Sequence, residues 1–272
     1  MVSLRGKTVL VTGGALGVGR EFVRLAAGEG AKTIVIWDVR SVEMAEVANA
    51  HRARDTAVHT AVVDLSDRKA IEAAAERVLA EVGPPHVLVN NAGVVNSAPF
   101  WEQDPDRIDF VVRVNTLAPM HVARAFLPAM LGLPEAHLLN MVSAGAYLAL
   151  PGAIVYTASK WGAMGWSEGL VQELKQNGIR HLHVTSVFPG LITSGMFEGA
   201  TLPGLLPGRT PEQVARAAWE GMKAGRSNVH VPRRLAALPM LRGVVPNAAF
   251  YGMLRTIGVL NAMAGFKGGR GD

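Results

Sequence analysis

The 272-residue chain is predicted to fold as one α/β domain, residues 1–272, around a doubly wound parallel sheet. Three observations carry that prediction. Apolar β-type runs recur along the chain, amphipathic helical stretches separate them, and a glycine-rich turn joins the first run to the first helix. Continuous apolar strands alternating with such helices make βαβ units, whose strands are buried on both faces. The length suits one large domain, and 49% hydrophobic against 18% charged residues excludes a disordered chain. With no cysteine, a disulfide scaffold, a zinc ribbon, an iron–sulfur cluster and a cysteine nucleophile are excluded together.

The elements follow in order. The run from Lys7 to Thr12 stops at Gly13-Gly14, too short for a secretory signal, and reads as a buried strand, Thr8–Val11. Further strands are expected at Thr33–Trp37, Thr56–Val63, Val87–Val89, His137–Val142, His183–Val187 and Asn228–Val231. Helical periodicity marks Arg20–Glu29, Val42–Arg54, Arg68–Val82, Pro105–Met130, Ser159–Gln176 and Pro211–Ala224. Asp67 stands at one helix start, and Thr210-Pro211-Glu212 puts proline in the first turn of another. A Gly/Pro-rich lid is expected at 191–210 and a tail at 233–272. No window reaches the ~18 apolar residues of a spanning helix, so the expectation is a soluble, cytoplasmic protein.

The first turn, Thr12-Gly13-Gly14-Ala15-Leu16-Gly17-Val18-Gly19, has the glycine spacing G-x-x-x-G-x-G. Glycines there allow a tight turn and bring the backbone close to a pyrophosphate held on a helix N-terminus. An ordinary glycine-rich turn is the plainer alternative. Asp38 ends the second strand about 20 residues further on, where a carboxylate accepts hydrogen bonds from ribose hydroxyls and repels a 2′-phosphate. That favours NAD over NADP, with Arg40 close enough to soften the preference. Asp64 ends the third strand beside Leu65 and is a candidate for the adenine edge.

Tyr156 and Lys160 stand four residues apart, on one helical face, and Ser143 ends an apolar strand thirteen residues before the tyrosine. Asn115 lies in the preceding helical stretch. A phenol of pKa ~10 is a poor base at neutrality, but a nearby ammonium and an oxidised nicotinamide both favour the phenolate. Tyr156 could then take a proton from an alcohol, or give one to a carbonyl. Singly, each residue has a commoner structural role. Together with the glycine turn they form a pattern.

That pattern, with Asn90-Asn91-Ala92-Gly93 and Pro189-Gly190-Leu191-Ile192-Thr193, resembles the short-chain dehydrogenase/reductase family over about Leu4–Val231. The resemblance implies a Rossmann-type fold, with Tyr156 as acid/base and Lys160 lowering its pKa and binding the nicotinamide ribose. Ser143 is implied to hydrogen-bond the substrate oxygen, and Asn115 to anchor a water relay from Lys160. Gly13, Leu16, Gly17, Val18 and Gly19 would shape the pyrophosphate turn. Asn91, Ala92 and Gly93 would line the cofactor cleft, and Pro189, Gly190, Ile192 and Thr193 the nicotinamide side. It also implies a homodimer or homotetramer built on the helices carrying Asn115 and Tyr156. A finer likeness, in Ile36-Trp37-Asp38, Gly195–Gly199, Leu205–Glu212 and Gly258–Gly269, is to the branch acting on retinol, steroids and other lipid alcohols. Leu191, Ile192, Met196, Phe197, Leu202, Leu205 and Leu206 would suit a hydrophobic substrate there, or simply pack the lid. The branch often attaches to membranes through an N-terminal hydrophobic segment that this sequence does not show.

The reading is an NAD(H)-dependent oxidoreductase interconverting a hydrophobic alcohol and its carbonyl. A carbonyl or 3-oxoacyl thioester reductase is the near rival, and a non-catalytic dinucleotide sensor the distant one. His181 and His183 would share one face of a strand without a third metal ligand. No recognition element supports nucleic-acid binding. The charge is uneven: 17 Lys+Arg face 19 Asp+Glu up to Leu202, and 10 face 3 beyond it. The tail therefore suits a surface helix on a partner subunit or an anionic membrane, or a packed extension over the substrate cleft.

Overall fold

The apolar runs become seven parallel strands: β1 (Thr8–Thr12), β2 (Thr33–Asp38), β3 (Ala57–Val62), β4 (Val87–Asn90), β5 (Ala136–Met141), β6 (Leu182–Pro189) and β7 (Asn228–Val231). The computed structural model describes residues 3–52, 56–193, 195–201 and 208–266. The sheet order is β3-β2-β1-β4-β5-β6-β7, so the winding reverses between β1 and β4 and opens a crevice at their carboxyl ends. Val9, Leu10 and Val11 are fully buried because helices cover both faces.

On one face lie α1 (Gly17–Gly28), α2 (Ser41–Arg52) and α7 (Pro211–Lys223). Phe22 meets Trp219 at 5.9 Å, and Glu29 holds both the Trp219 indole (3.1 Å) and Lys223 (2.7 Å). The start of α7 is fixed by a reciprocal pair, Thr210 accepting from the Gln213 amide and Gln213 from that of Thr210. On the other face lie α3 (Arg68–Glu81), capped by Asp67, α5 (Ala118–Met130) and α6 (Ile154–Gln176). Ile71, Phe126, Met130 and Leu174 fill that side.

Three expectations change. The stretch Pro105–Met130 is helical throughout, as expected, but not uniformly α-helical. α4 (Pro105–Val112) and α5 are joined by a π-helical turn, Arg113–Leu117, which contains Asn115. Such turns insert one residue into the helical repeat and re-aim a side chain, which periodicity does not reveal. α6 starts at Ile154, five residues ahead of its amphipathic run, because Val155, Tyr156, Thr157, Ser159 and Lys160 are all buried and blur the pattern. The tail is no single surface helix. A 3₁₀ turn (Arg233–Ala237), α8 (Leu238–Val244), α9 (Asn247–Thr256) and a second 3₁₀ turn (Val259–Asn261) bury Leu235, Phe250, Leu254, Val259 and Met263 against the domain. Met240 and Val244 remain exposed. Lys267 and Arg270 lie outside the described residues, as do the lid residues Leu202, Leu205 and Leu206. The lid's ends are zipped together: Thr193 N–H donates to Arg209 O (3.0 Å), and Arg209 N–H to Leu191 O (2.9 Å).

His181 precedes β6 and contacts Leu131 O, whereas His183, on the strand, stacks on His137 of β5 at 5.1 Å. Among the described residues no cluster could hold a metal ion. Burial, then the charge of His183, holds the His137 pKa down to about 4. As pH falls, the unfolded chain takes up that proton near 6.5 while the fold resists until about 4, so stability present above 6.5 is lost across that interval. The expected loss is roughly 3 kcal/mol. Urea unfolding at about pH 7.5 and pH 4.5 should show it, and His137→Leu should lose distinctly less. Equal losses in the two proteins would refute the assignment.

Candidate active site

The crevice between β1 and β4 is lined by the glycine turn. Gly13 has φ +65°, and a Cβ there would stand 2.9 Å from Ala92 Cα. A Cβ on Gly19 would run into the Gly13 carbonyl oxygen. Both glycines are therefore fixed by close approach, and Asn91 supports the turn by donating to Thr12 O and Gly13 O, each at 3.0 Å. Thr12 Oγ accepts from the amides of Asn91 (3.0 Å) and Ala92 (3.2 Å), tying the turn to the end of β4. α1 begins at Gly17 with Val18 and Gly19 in its first turn, and its cap residue Leu16 supplies no side-chain hydrogen bond. First-turn N–H groups without a side-chain acceptor, beside a glycine-shaped backbone, fit a pyrophosphate.

Asp38 is placed at the end of β2 as expected, but its carboxylate is not free. Oδ2 accepts from the Ala15 amide (3.0 Å) and Oδ1 from the Arg40 amide (3.1 Å). The residue thus braces the glycine turn, which its spacing alone does not disclose. Each oxygen retains acceptor capacity for a ribose hydroxyl. The Arg40 guanidinium contacts Glu43 (3.3 Å), which blunts its attraction for a phosphate. Asp64 is exposed and accepts from the Ser66 amide and hydroxyl, beside the buried Leu65. At the end of β6, Pro189 is buried, the Gly190 amide donates to Val231 O (2.8 Å), and Ile192 and Thr193 pair with Arg209.

The polar side chains converge at the carboxyl end of β5. Ser143 Oγ accepts from the Gly145 amide (3.0 Å), and Ser143 lies near enough to Tyr156 to favour its phenolate. Lys160 Nζ donates to Met141 O (2.9 Å) and lies 6.0 Å from the Tyr156 ring centre. Asn115 is 1% exposed, and its amide group is paired both ways with the Val94 backbone at 2.8 Å. It also donates to Ser159 Oγ (3.0 Å), locking the second turn of α6 to the loop after β4. Asn115 makes no direct bond to Lys160. Gly93 separates them: a Cβ there would sit 3.2 Å from Asn115 Oδ1 and 3.5 Å from Lys160 Nζ.

The expected drop in the tyrosine pKa is reversed in the protein alone. Burial pushes Tyr156 up to about 12, with only the nearby Ser143 opposing, and burial pulls Lys160 down to about 8. The ammonium faces a carbonyl instead of the phenol oxygen, so desolvation dominates.

Around the phenol the surface is apolar. Phe197 from the lid meets the Tyr156 ring edge-on at 5.7 Å and 81°. Ala153, Met263, Val95, Leu150 and Phe266 complete the cluster. Leu191 is half-buried at the lid's root, and Met196 is 37% exposed and outside the cluster. Met263 and Phe266 were not singled out in the sequence, but they belong to the tail, for which a packed extension over the substrate cleft was one expectation.

A parallel sheet with an anion-fitting glycine turn at its switch point, facing a buried Tyr–Ser–Lys cluster, defines a nicotinamide-dinucleotide oxidoreductase acting on alcohol and carbonyl groups. The short chain dehydrogenase family model matches residues 7–202, and the chain belongs to that family. It is 32% identical over 270 residues to estradiol 17-beta-dehydrogenase 11 of Homo sapiens, covering 97% of this chain and 88% of that protein. It is 31% identical over 274 residues to epidermal retinol dehydrogenase 2 of Homo sapiens, covering 97% and 86%. A short chain dehydrogenase/reductase from Burkholderia phymatum in complex with NAD superposes with TM-score 0.79 at 26% identity, over 88% of this chain and 94% of that one. A metagenomic short-chain oxidoreductase in complex with NADP gives 0.71 at 29% identity, over 84% and 98%. Among the described residues, no helix is long and apolar enough to cross a membrane.

Proposed function

We propose that the protein interconverts a hydrophobic alcohol and its aldehyde or ketone with NAD(H), and that Tyr156 moves the proton. The observation that carries this reading is the buried Tyr156, with Ser143 beside it and Ala153, Leu150, Phe197 and Met263 packed around it. A substrate whose carbonyl or alcohol reaches that oxygen must lay its remaining atoms on apolar surface. The steroid- and retinol-named relatives support a bulky lipid alcohol. Bound dinucleotide would rest on Gly13–Gly19, Asp38, Asn91–Gly93 and Pro189–Thr193 and would supply the hydride acceptor. Ser143 would orient the substrate oxygen, and Lys160 would carry positive charge beside the phenol. The exposed Leu117, Ala158 and Gly165 on the segments around Asn115 and α6 support a homo-oligomer built there.

Purified protein mixed with NAD⁺ and alcohols graded in chain length and ring size should produce NADH, fastest with the bulkiest apolar members. No turnover despite tight NAD⁺ binding would overturn the reading. NAD⁺ should be preferred to NADP⁺. Asp38→Asn keeps an acceptor for Ala15 but removes the charge, so it should lower the NAD⁺:NADP⁺ ratio of kcat/KM by about tenfold, equivalent to about 1.4 kcal/mol. A wild-type preference for NADP⁺ would refute the role given to Asp38.

A further inference from the structure

The segment that carries Ser143 is held from outside by the tail. After Ser143 the chain makes a 3₁₀ turn, Ala144–Tyr147, and runs on through Leu148 and Ala149. Short turns of this kind expose backbone groups that need partners. Here the partners are side chains of two other elements. Trp161, the residue after Lys160 on α6, donates its indole N–H to Gly145 O (3.0 Å) and Leu148 O (3.2 Å). Arg242, on α8, donates to Tyr147 O (3.1 Å). Tyr251, on α9, accepts from the Ala149 amide (3.1 Å) and from Arg242 (3.0 Å). The Arg242 guanidinium lies 4.4 Å from the Trp161 ring centre, and the rings of Phe250 and Tyr251 stand at 5.9 and 6.0 Å. One cation therefore joins the tail, the Ser143 turn and the helix bearing Tyr156 and Lys160.

We infer that Arg242 is a positioning residue for the reaction: with Tyr251 and Trp161 it sets the Ser143 turn against α6, so that the Ser143 and Tyr156 oxygens stay in register. The inference rests on the proposed alcohol–carbonyl chemistry for its kinetic consequence, and on the structure alone for its mechanical one. The planar guanidinium lies over Trp161 while its Nη1 donates to both oxygens; a lysine ammonium, on a shorter side chain and with no flat face to lay on the indole, does not reproduce that combination. The glycine turn and β1–β4 make none of these contacts, so dinucleotide binding should be spared.

Two readouts test it. In Arg242→Met, hydrogen exchange at the amides of 145–149 should quicken by about tenfold or more, while those of β1 and β4 hold their rates. With an alcohol that the wild type oxidises, kcat should fall by about tenfold and the KM for NAD⁺ should stay within about twofold. Arg242→Lys should recover little of the loss, and millimolar guanidinium added to Arg242→Ala should recover part of it. Tyr251→Phe, a single-atom deletion that leaves the ring packed, should shift both readouts the same way by a smaller factor. Unchanged exchange at 145–149 overturns the inference, as does unchanged kcat. A uniform rise in exchange with an equal loss of NAD⁺ affinity also overturns it, since that marks a merely structural residue. Should the wild type oxidise no alcohol, the proposed function fails instead, and the exchange measurement still decides whether Arg242 holds the turn.

Discussion

Tyr156→Phe is expected to lower kcat by about a thousandfold, within the range of lost acid–base catalysis, while the KM for NAD⁺ stays within about twofold. The substitution deletes one oxygen from a residue 6% exposed and keeps the ring against Phe197, Ala153 and Met263. The fold therefore survives, and the rate reports the hydroxyl alone. What that hydroxyl must do depends on direction. Neutral phenol, favoured by a pKa near 12, is ready to protonate a carbonyl. To take a proton from an alcohol at pH 7 it needs roughly 7 kcal/mol of additional charge stabilisation. Lys160 and an oxidised nicotinamide, both cationic, are the groups that can provide it. Alcohol oxidation should accordingly accelerate with rising pH through the range where the phenol ionises, and carbonyl reduction should not. Retention of more than about half the wild-type kcat in Tyr156→Phe would assign the proton to another group.

The parts of this design that reside in local pattern were legible in the sequence. Seven apolar runs gave seven strands, Gly13 and Gly19 fell where only a backbone can approach, and Gly17 where φ is positive. Tyr156 and Lys160 share a helical face because four residues make about one turn. What was not legible depends on neighbours distant in sequence. The inserted residue that turns Asn115 inward leaves hydrophobic periodicity almost untouched. Asp38 has a second task, bracing Ala15, that only tertiary proximity reveals. The upward push that the protein's own burial exerts on Tyr156 was not legible for a similar reason. Sequence places a cation four residues away, but the depth of burial and the turning of Lys160 Nζ toward Met141 O decide which influence wins. The basic tail could be read as a surface helix or as a packed extension, and only tertiary contacts show it packed, Phe250 and Leu254 around Leu148 and Met263 against Tyr156.

Lys160→Met should separate activity from stability. The ammonium is 5% exposed, and burial lowers its pKa to about 8. Between about pH 8 and 10.4 the unfolded chain holds a proton that the fold has released, so wild-type stability rises with pH across that window. Below pH 8 the fold carries the full cost of the buried charge, roughly 3 kcal/mol. Methionine has a similar length and no charge, so it removes that cost. It also leaves Met141 O without its side-chain donor, a loss of about 1–2 kcal/mol. The net expectation at pH 7 is a gain of about 1–2 kcal/mol in unfolding free energy, with the rise between pH 8 and 10 abolished. Catalysis should fall by about a hundredfold or more, because the phenol loses the cation held 6.0 Å from its ring centre. Urea denaturation at several pH values, run alongside turnover, measures both. A variant that is less stable than wild type at pH 7, or that keeps the alkaline rise, would show that the ammonium is stabilised in place by more than its single carbonyl. A variant that keeps its rate would remove Lys160 from the chemistry altogether. If both expectations hold, the lysine is retained at the expense of the fold, and what retains it is the reaction.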